Sequence, residues 1–143
     1  MFSFSRMVLN TVTAQQVAAI VQEKLRGSGA VANTIIVDVR STAEVSLSGI
    51  IPSAVNIPLK ALPVALSDEV DDEEFRQAFG HPKPLKKTSH MIFYCEKGVR
   101  SAFAVEMAES LGYENVSNFV GSFVEWRELH NGSPFVGGSG KDE

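Results

Sequence analysis

The residues best suited to chemistry lie in one loop, Cys95-Glu96-Lys97-Gly98-Val99-Arg100, which is followed by Ser101. An apolar run that predicts a strand ends at this cysteine, and a helical pattern begins directly after the loop. If the chain curls at Gly98, the backbone N–H groups of residues 96 to 101 can point at the sulfur. Such donors lower a cysteine pKa from about 8.5 to about 3.5–7.5. The loop therefore predicts a reactive thiolate.

The charged residues of this loop act in different directions. Lys97 and Arg100 add positive charge near the sulfur, whereas Glu96 opposes ionisation of the thiol, and we expect Glu96 to point to solvent. A lone cysteine after an apolar strand is more often a small buried hydrophobic residue than a nucleophile. The glycine, the arginine and the helix start that follow Cys95 favour the nucleophile.

The chemistry that suits such a thiolate is sulfur transfer. A thiolate can attack the outer sulfur of an anionic donor such as thiosulfate, and the departing sulfite is so weakly basic that no general acid is needed. No histidine adjoins the loop in the sequence, because His90 begins the preceding strand and His81 and His130 lie elsewhere. A cysteine–histidine pair therefore has little support. Peptide N–H groups would also stabilise the anionic persulfide left on Cys95.

The chain contains a single cysteine. A persulfide on it cannot be resolved internally, so the sulfur must pass to an outside acceptor such as cyanide, a small thiol or a protein thiol. A lone thiol also excludes an intramolecular disulfide and fits a reducing compartment. We therefore expect a cytoplasmic protein. A mitochondrial location is the alternative, because residues 1–7 contain Ser and Arg and the first acid is Glu23.

Composition narrows the class of protein. The 143 residues are 44% hydrophobic, which suits one domain with an ordinary core. The net charge of −4 gives no general attraction to nucleic acid or to an anionic membrane. No apolar run approaches the roughly 20 residues that span a bilayer. We expect neither nucleic acid nor membrane as a partner.

Patterns on either side of the loop predict alternating strands and helices. The predicted strands cover residues 34–39, 54–57, 90–94 and 115–119; helices follow capping boxes at 13–16 and 71–74 and cover 59–66, 101–111 and 122–130. This alternation predicts an α/β domain with a mainly parallel central sheet and helices on both faces. Ligands of such sheets bind beyond the carboxyl ends of the strands, where Cys95 lies. We expect a flexible segment at 1–12, the domain at 13–132 and a flexible tail at 133–143.

Four segments of the sequence together resemble the rhodanese family, in particular its small single-domain thiosulfate sulfurtransferases. The loop matches Cys-x-x-Gly-x-Arg-Ser from Cys95 to Ser101, and Asp38, Arg40 and Glu44 match Asp-x-Arg-x-x-x-Glu. Residues 49–58 are similar to Gly-His-Ile-Pro-Gly-Ala-x-Asn-Ile-Pro, and the closing segments carry Leu111-Gly112-Tyr113, Asn115-Val116, Gly121 and Trp126. The departures are Ile50 for the common His, Ser53 for the common Gly and Ser122 for the second Gly. None of these three is the sulfur-carrying position, Cys95.

The resemblance implies a three-layer rhodanese-like fold and a thiosulfate sulfurtransferase, with Cys95 as the nucleophile and the loop amides as its cradle. It makes Lys97 the candidate for binding the sulfonate end of thiosulfate, with a merely solvated side chain as the alternative. Arg100 either binds the donor or braces the loop against a carboxylate, and bracing is favoured. Asp38, Arg40 and Glu44 are expected to form a structural ion-pair network near the site, and Trp126 to pack in the core.

Two other functions compete with this hypothesis. Phosphatases and arsenate reductases of related fold use Cys-x-x-x-x-x-Arg, and this chain has four residues between cysteine and arginine where that motif has five. The stronger rival is a rhodanese-like binding or regulatory module, or a persulfide relay that acts only with a protein partner. The acidic residues 68–74 lack the turn glycine of a calcium loop and are predicted to cap a helix. We expect no metal and no organic cofactor.

Overall fold

The computed structural model describes residues 10–130, which form a five-stranded sheet covered by helices. The strands are β1 (Thr11–Val12), β2 (Thr34–Asp38), β3 (Val55–Asn56), β4 (His90–Tyr94) and β5 (Asn115–Phe119). Their order in the sheet is β1-β5-β4-β2-β3, and every pairing is parallel. The expected α/β class with a parallel sheet is confirmed.

Six α-helices and two 3₁₀ turns connect these strands within residues 10–130. The helices are α1 (Ala14–Leu25), α2 (Thr42–Ser48), α3 (Leu62–Ala65), α4 (Asp72–Phe79), α5 (Val99–Ser110) and α6 (Ser122–His130). The 3₁₀ turns cover Gly29–Val31 and Leu59–Ala61. No helix of this part of the chain is long and apolar enough to cross a membrane.

Capping boxes fix the starts of three helices. Thr13 and Gln16 exchange side-chain and backbone hydrogen bonds at the start of α1, Ser41 and Glu44 do so at α2, and Asp71 and Glu74 at α4. Each box satisfies two backbone N–H groups that a helix N-terminus otherwise leaves unpaired. Gly80 ends α4 with a φ of 71°, a left-handed conformation that suits glycine.

Two hydrophobic cores lie on opposite faces of the sheet. Ile35 and Val37 point into one core and Ile36 into the other, because successive residues of a strand face opposite sides. The first core is covered mainly by α3, α4 and α5, with Phe75, Ala104 and Val105 buried. The second is covered by α1 and α6, with Val17 and Trp126 fully buried. This is the expected three-layer arrangement.

The structure differs from the sequence predictions at two elements. Thr11–Val12 forms β1, which pairs with Asn118 and Phe119 of β5, so sheet structure begins inside the segment predicted to be flexible. A two-residue strand carries no detectable alternation, which is why the pattern gave no sign of it. Helix α2 at Thr42–Ser48 was not predicted either. Residues 1–9 and the tail at 133–143 lie outside the described residues.

Three neighbouring strands end close to the candidate nucleophile. Strand β2 ends at Asp38, β4 ends at Tyr94 directly before Cys95, and β5 ends at Phe119. The register pairs Asp38 with Tyr94, so these carboxyl ends meet at one edge of the sheet. The fold thus gathers residues from distant parts of the sequence around the loop.

Candidate active site

Gly98 shapes the loop that follows β4. It is the N-cap of α5 and has a φ of 93°, which an L side chain rarely adopts. A Cβ atom at this position would lie 2.4 Å from the carbonyl oxygen of Val120, closer than real Cβ atoms approach backbone. Both the conformation and the space therefore require glycine, and the curl at Gly98 that the sequence suggested is present.

The sulfur of Cys95 is enclosed by hydrogen-bond donors. The backbone N–H of Gly98 donates to Sγ over 3.1 Å, and the Ser101 hydroxyl lies 3.5 Å from it. Burial raises the pKa of the Cys95 thiol, but the Ser101 hydroxyl and the backbone amides of Ser101, Gly98 and Lys97 lower it, and the net pKa shift is downward. The residue is only 1% exposed. The loop amides thus favour a thiolate in a nearly closed site.

The first turn of α6 holds the backbone of the same cysteine from behind. The N–H of Cys95 donates to the Ser122 hydroxyl over 3.2 Å, and the Cys95 carbonyl accepts from the N–H of Phe123 over 2.9 Å. The Glu96 carbonyl accepts from the N–H of Val124 over 3.0 Å. These bonds use N–H groups that a helix N-terminus leaves free, so α6 serves as a support for the loop.

Arg100 braces the loop against α2. Its two terminal nitrogens donate to the two carboxylate oxygens of Glu44 over 2.7 and 2.9 Å, a bidentate geometry. The hydrogen bond from Arg100 is the main cause that lowers the pKa of Glu44 to about 2. Of the two roles considered for Arg100, this geometry matches bracing.

A second ion pair lies deeper, at the end of β2. Arg40 donates through Nη2 to Asp38 over 2.8 Å, and both side chains are fully buried. Burial lowers the pKa of Arg40, but the bonds with Asp38 outweigh it and the net shift is upward. Arg40 also donates to the Gly49 carbonyl and stacks 4.2 Å from the Phe123 ring centre. Asp38, Arg40 and Glu44 therefore belong to two separate pairs, with Glu44 bound to Arg100.

Glu96 does not point to solvent, and that expectation was wrong. Its carboxylate accepts from Arg127 over 2.8 Å and lies 3.5 Å from Arg40, with 28% of the side chain exposed. The two arginines come from α6 and from the end of β2, which no local pattern connects to the loop. The positive charges of Arg127 and Arg40 offset the negative charge of this carboxylate, which would otherwise oppose ionisation of the thiol.

Comparison with known proteins agrees with this architecture. Residues 17–129 match the rhodanese-like domain. The chain belongs to the rhodanese family. It is 37% identical over 91 residues to the human thiosulfate:glutathione sulfurtransferase, covering 64% of this chain and 76% of that protein. It is 40% identical over 92 residues to the Saccharomyces cerevisiae mitochondrial thiosulfate sulfurtransferase RDL2, covering 64% of this chain and 59% of that protein. The human single-domain sulfurtransferase TSTD1 superposes with a TM-score of 0.70 at 30% identity, over 83% of this chain and 96% of that one.

The remaining loop residues of this rhodanese domain face outward. The side chain of Lys97 is exposed, and Val99, the first residue of α5, is 65% exposed. Ser101 is fully buried beside the sulfur. The structure therefore divides the loop into inner residues that contact Cys95 and outer residues whose side chains face solvent.

The sequence analysis did not predict that α6 contributes to this rhodanese site. It singled out Ser122 only as a departure from the family pattern, whereas the structure places its hydroxyl on the backbone of Cys95. Its position directly after β5, at the carboxyl edge of the sheet, was the available signal. His90 lies at the other end of β4 and contacts Ser117 over 3.0 Å. Within residues 10–130 no group of three or more His, Cys, Asp or Glu is placed to hold a metal.

Proposed function

We propose that this rhodanese domain is a sulfurtransferase that takes sulfur from thiosulfate, carries it as a persulfide on Cys95 and passes it to a thiol. The observation that supports this most is the set of donors at Sγ: the Gly98 amide at 3.1 Å and the Ser101 hydroxyl at 3.5 Å. Such donors favour the ionised sulfur, which is the nucleophilic form.

The proposed reaction has two displacement steps. The Cys95 thiolate attacks the outer sulfur of thiosulfate, forming a new S–S bond while the bond to the sulfonate sulfur breaks and sulfite leaves with the electron pair. An acceptor thiolate then attacks the outer sulfur of the persulfide, forms its own S–S bond and releases the Cys95 thiolate. Neither step needs a general acid, which is consistent with an Sγ whose close hydrogen-bond partners are the Gly98 amide and the Ser101 hydroxyl.

The same amides serve both forms of the cysteine. Thiolate and persulfide are both anions, and fixed N–H groups stabilise either one in a site from which water is excluded. Because Cys95 is 1% exposed, a donor reaches the sulfur only if the loop or the sulfur moves toward solvent when the donor arrives. In this proposal Glu96 to Ser101 form the loop that admits the donor, and Lys97, exposed at its rim, binds the sulfonate end.

The supporting residues hold the loop in place in this proposal. Glu44 fixes Arg100 at the start of α5, and the buried pair of Asp38 and Arg40 forms the floor beneath Glu96. The hydrogen bonds at Sγ within 3.5 Å come from Gly98 and Ser101, so in this proposal the three supporting residues act on sulfur transfer through the shape of the loop. Val99 has no such contact and presents an apolar surface beside the rim.

The acceptor and the compartment are inferred from the relatives. The human relative is named for transfer to glutathione, so a small thiol of this kind is the proposed acceptor, with cyanide and a protein thiol as further acceptors. The yeast relative is named as mitochondrial, which favours the mitochondrial alternative over the cytoplasm.

Intact mass spectrometry tests the carrier role. The protein is incubated with thiosulfate, freed of small molecules and weighed, alongside Cys95→Ser. The proposal expects the mass of one sulfur atom on the wild type, none on the variant, and its loss when glutathione is added. An unmodified wild type would reject sulfur transfer from thiosulfate and leave the binding or regulatory module as the better hypothesis.

A further inference from the structure

Ser122, the first residue of α6, has an unusual backbone for its residue type. Its φ is 54°, in the left-handed region that favours glycine, and it is fully buried. A non-glycine residue is strained there unless its surroundings hold it. Strain of this kind at a site is a reason to ask what the side chain contributes.

The Ser122 hydroxyl joins three groups around the candidate nucleophile. Its oxygen accepts from the N–H of Cys95 over 3.2 Å, and its own hydrogen is donated to the carbonyl of Phe119 over 2.8 Å. The oxygen also lies 4.0 Å from the Cys95 sulfur. The hydroxyl therefore ties the end of β5 to the peptide that carries the sulfur.

This tie decides where the sulfur sits relative to its donors. The peptide between Tyr94 and Cys95 is held at both of its polar atoms: its carbonyl accepts from the N–H of Val39 over 2.9 Å, and its N–H donates to Ser122. Without the Ser122 hydroxyl this buried N–H has no acceptor, which is unfavourable and favours a shift of the peptide. Nearby contacts hold the other side of the loop, since Asn118 donates to the Gly98 carbonyl over 3.4 Å. Ser122 thus holds the N–H side of Cys95, the Phe123 amide holds its carbonyl, and Asn118 of β5 holds Gly98, so the distance between Sγ and the Gly98 amide depends on all three contacts.

We propose that Ser122 is a positioning residue for the thiolate: it holds the backbone of Cys95 so that Sγ stays within reach of the loop amides. The proposal extends the proposed function, but the ionisation of Cys95 can be measured without any sulfur transfer. A substitution at Ser122 leaves the charged residues of the site unchanged; they are Glu96 and Lys97 of the loop, Arg100 of α5 with Glu44 of α2, Asp38 and Arg40 at the end of β2, and Arg127 of α6.

Two substitutions separate the hydroxyl from the strained backbone. Ser122→Gly removes the hydroxyl and suits the positive φ, whereas Ser122→Ala removes the hydroxyl and keeps the strain. The rate of Cys95 alkylation by iodoacetamide is measured against pH for both. We expect both midpoints to move toward that of free cysteine, with alkylation below neutral pH slowed about tenfold, the equivalent of one hydrogen bond. The turnover of thiosulfate should fall in both while its KM changes little.

A buried serine elsewhere serves as the control. Ser117→Ala deletes a buried hydroxyl of β5 that contacts His90, and it should keep the wild-type alkylation profile. Thermal unfolding checks folding, and glycine should unfold at a higher temperature than alanine because it relieves the strain. A wild-type midpoint in Ser122→Gly, or a shift in Ser122→Ala alone, would overturn the proposal. If the wild type formed no persulfide but the midpoints still moved, the proposed function would fail and the positioning role would stand.

Discussion

The two ends of the parallel sheet hold their charges in different ways. At the carboxyl end, the Asp38–Arg40 pair is 0% exposed on both sides and is joined to Glu96 of the loop. At the amino end, Asp72 and Arg76 also form a pair, but more than half of each side chain is exposed. A cavity of about 510 Å³ lies at this second end, next to Asn33 and Ser89.

The comparison of the two ends shows that buried, paired polar groups indicate a functional site better than the presence of a cavity does. Among the residues that line the cavity at the amino end, Lys83 already donates to the carbonyls of Ser67 and Val70, and Asp72 is already paired with Arg76. At the carboxyl end the buried hydroxyls of Ser101 and Ser122 lie 3.5 and 4.0 Å from one sulfur, and the buried pair of Asp38 and Arg40 lies at the end of the neighbouring strand. Because burying charge is unfavourable unless each group is paired, the dense pairing there is the more informative observation.

Removing a buried cation should give the largest effect on stability. Arg40→Met leaves Asp38 buried without its partner, so we expect unfolding to become about 3–5 kcal/mol easier. The matched change at the amino end, Arg76→Met, removes an exposed partner and should change the unfolding midpoint little. Urea denaturation of both variants measures this, and equal losses would mean that burial does not distinguish the two ends.

Two glycines with positive φ sharpen the comparison further. Gly98→Ala has both a φ of 93° and an overlap with the Val120 carbonyl. We expect its free energy of unfolding to fall by about 3 kcal/mol and its persulfide formation to be lost. Gly80→Ala has a φ of 71° but no atom within 4 Å, so about 1 kcal/mol is expected with persulfide formation unchanged. Denaturation and intact mass measure the two effects. A Gly98→Ala variant that formed the Cys95 persulfide as completely as the wild type would contradict the conclusion that this position requires glycine.

The pair between Glu44 and Arg100 should show itself through pH. The pKa of Glu44 in the folded protein is about 2, below its ordinary 4.5, so the pair stabilises the fold above pH 4.5 and the stabilisation is lost as pH falls toward 2. Because both side chains are 38% exposed, solvent weakens the pair and Glu44→Gln should lose about 1 kcal/mol at pH 7. The stabilities of wild type and variant should converge in acid. A gap that persists at pH 2 would contradict an ionised Glu44 as its cause.

The smallest effect concerns the rim of the loop. Lys97→Ala should raise the KM for thiosulfate about threefold with little change in turnover, because an exposed charge contributes modestly to binding. Lys87→Ala removes an exposed lysine near the amino end of the sheet and should leave the KM unchanged. Steady-state kinetics decides whether the Lys97 side chain binds thiosulfate or is only solvated. An unchanged KM in Lys97→Ala would show that it does not bind the donor.

Much of the fold followed from local sequence patterns. The bounds of β4 and β5 agree with the predicted segments. Strand β4 is a run of apolar residues after His90, and β5 lies between Gly112, which was predicted to end the preceding helix, and Gly121. Helix α2 was missed although Ser41 and Glu44 form the same capping box that revealed α1 and α4. The short element has no fully buried residue, so it lacks the apolar stripe that draws attention to a helix.

The site was predictable only in its local part. The cysteine, the glycine and the helix start lie within a few residues, so their spacing was enough to suggest the ring of amides. The position of Glu96 depends on Arg40 and Arg127, which are distant in sequence, and the role of Ser122 depends on where β5 ends beside β4. Contacts of that kind arise from the topology of the sheet.

The central claim is that peptide N–H groups hold Cys95 as a thiolate, and a spectroscopic titration of that one thiol tests it most directly. The ultraviolet absorbance of the thiolate is followed against pH in the wild type, with Cys95→Ser as the blank. Since the pKa of Cys95 is lowered by the Ser101 hydroxyl and the loop amides against the effect of burial, the midpoint should lie below that of free cysteine, about 8.5. A midpoint at or above the value of free cysteine would contradict the account.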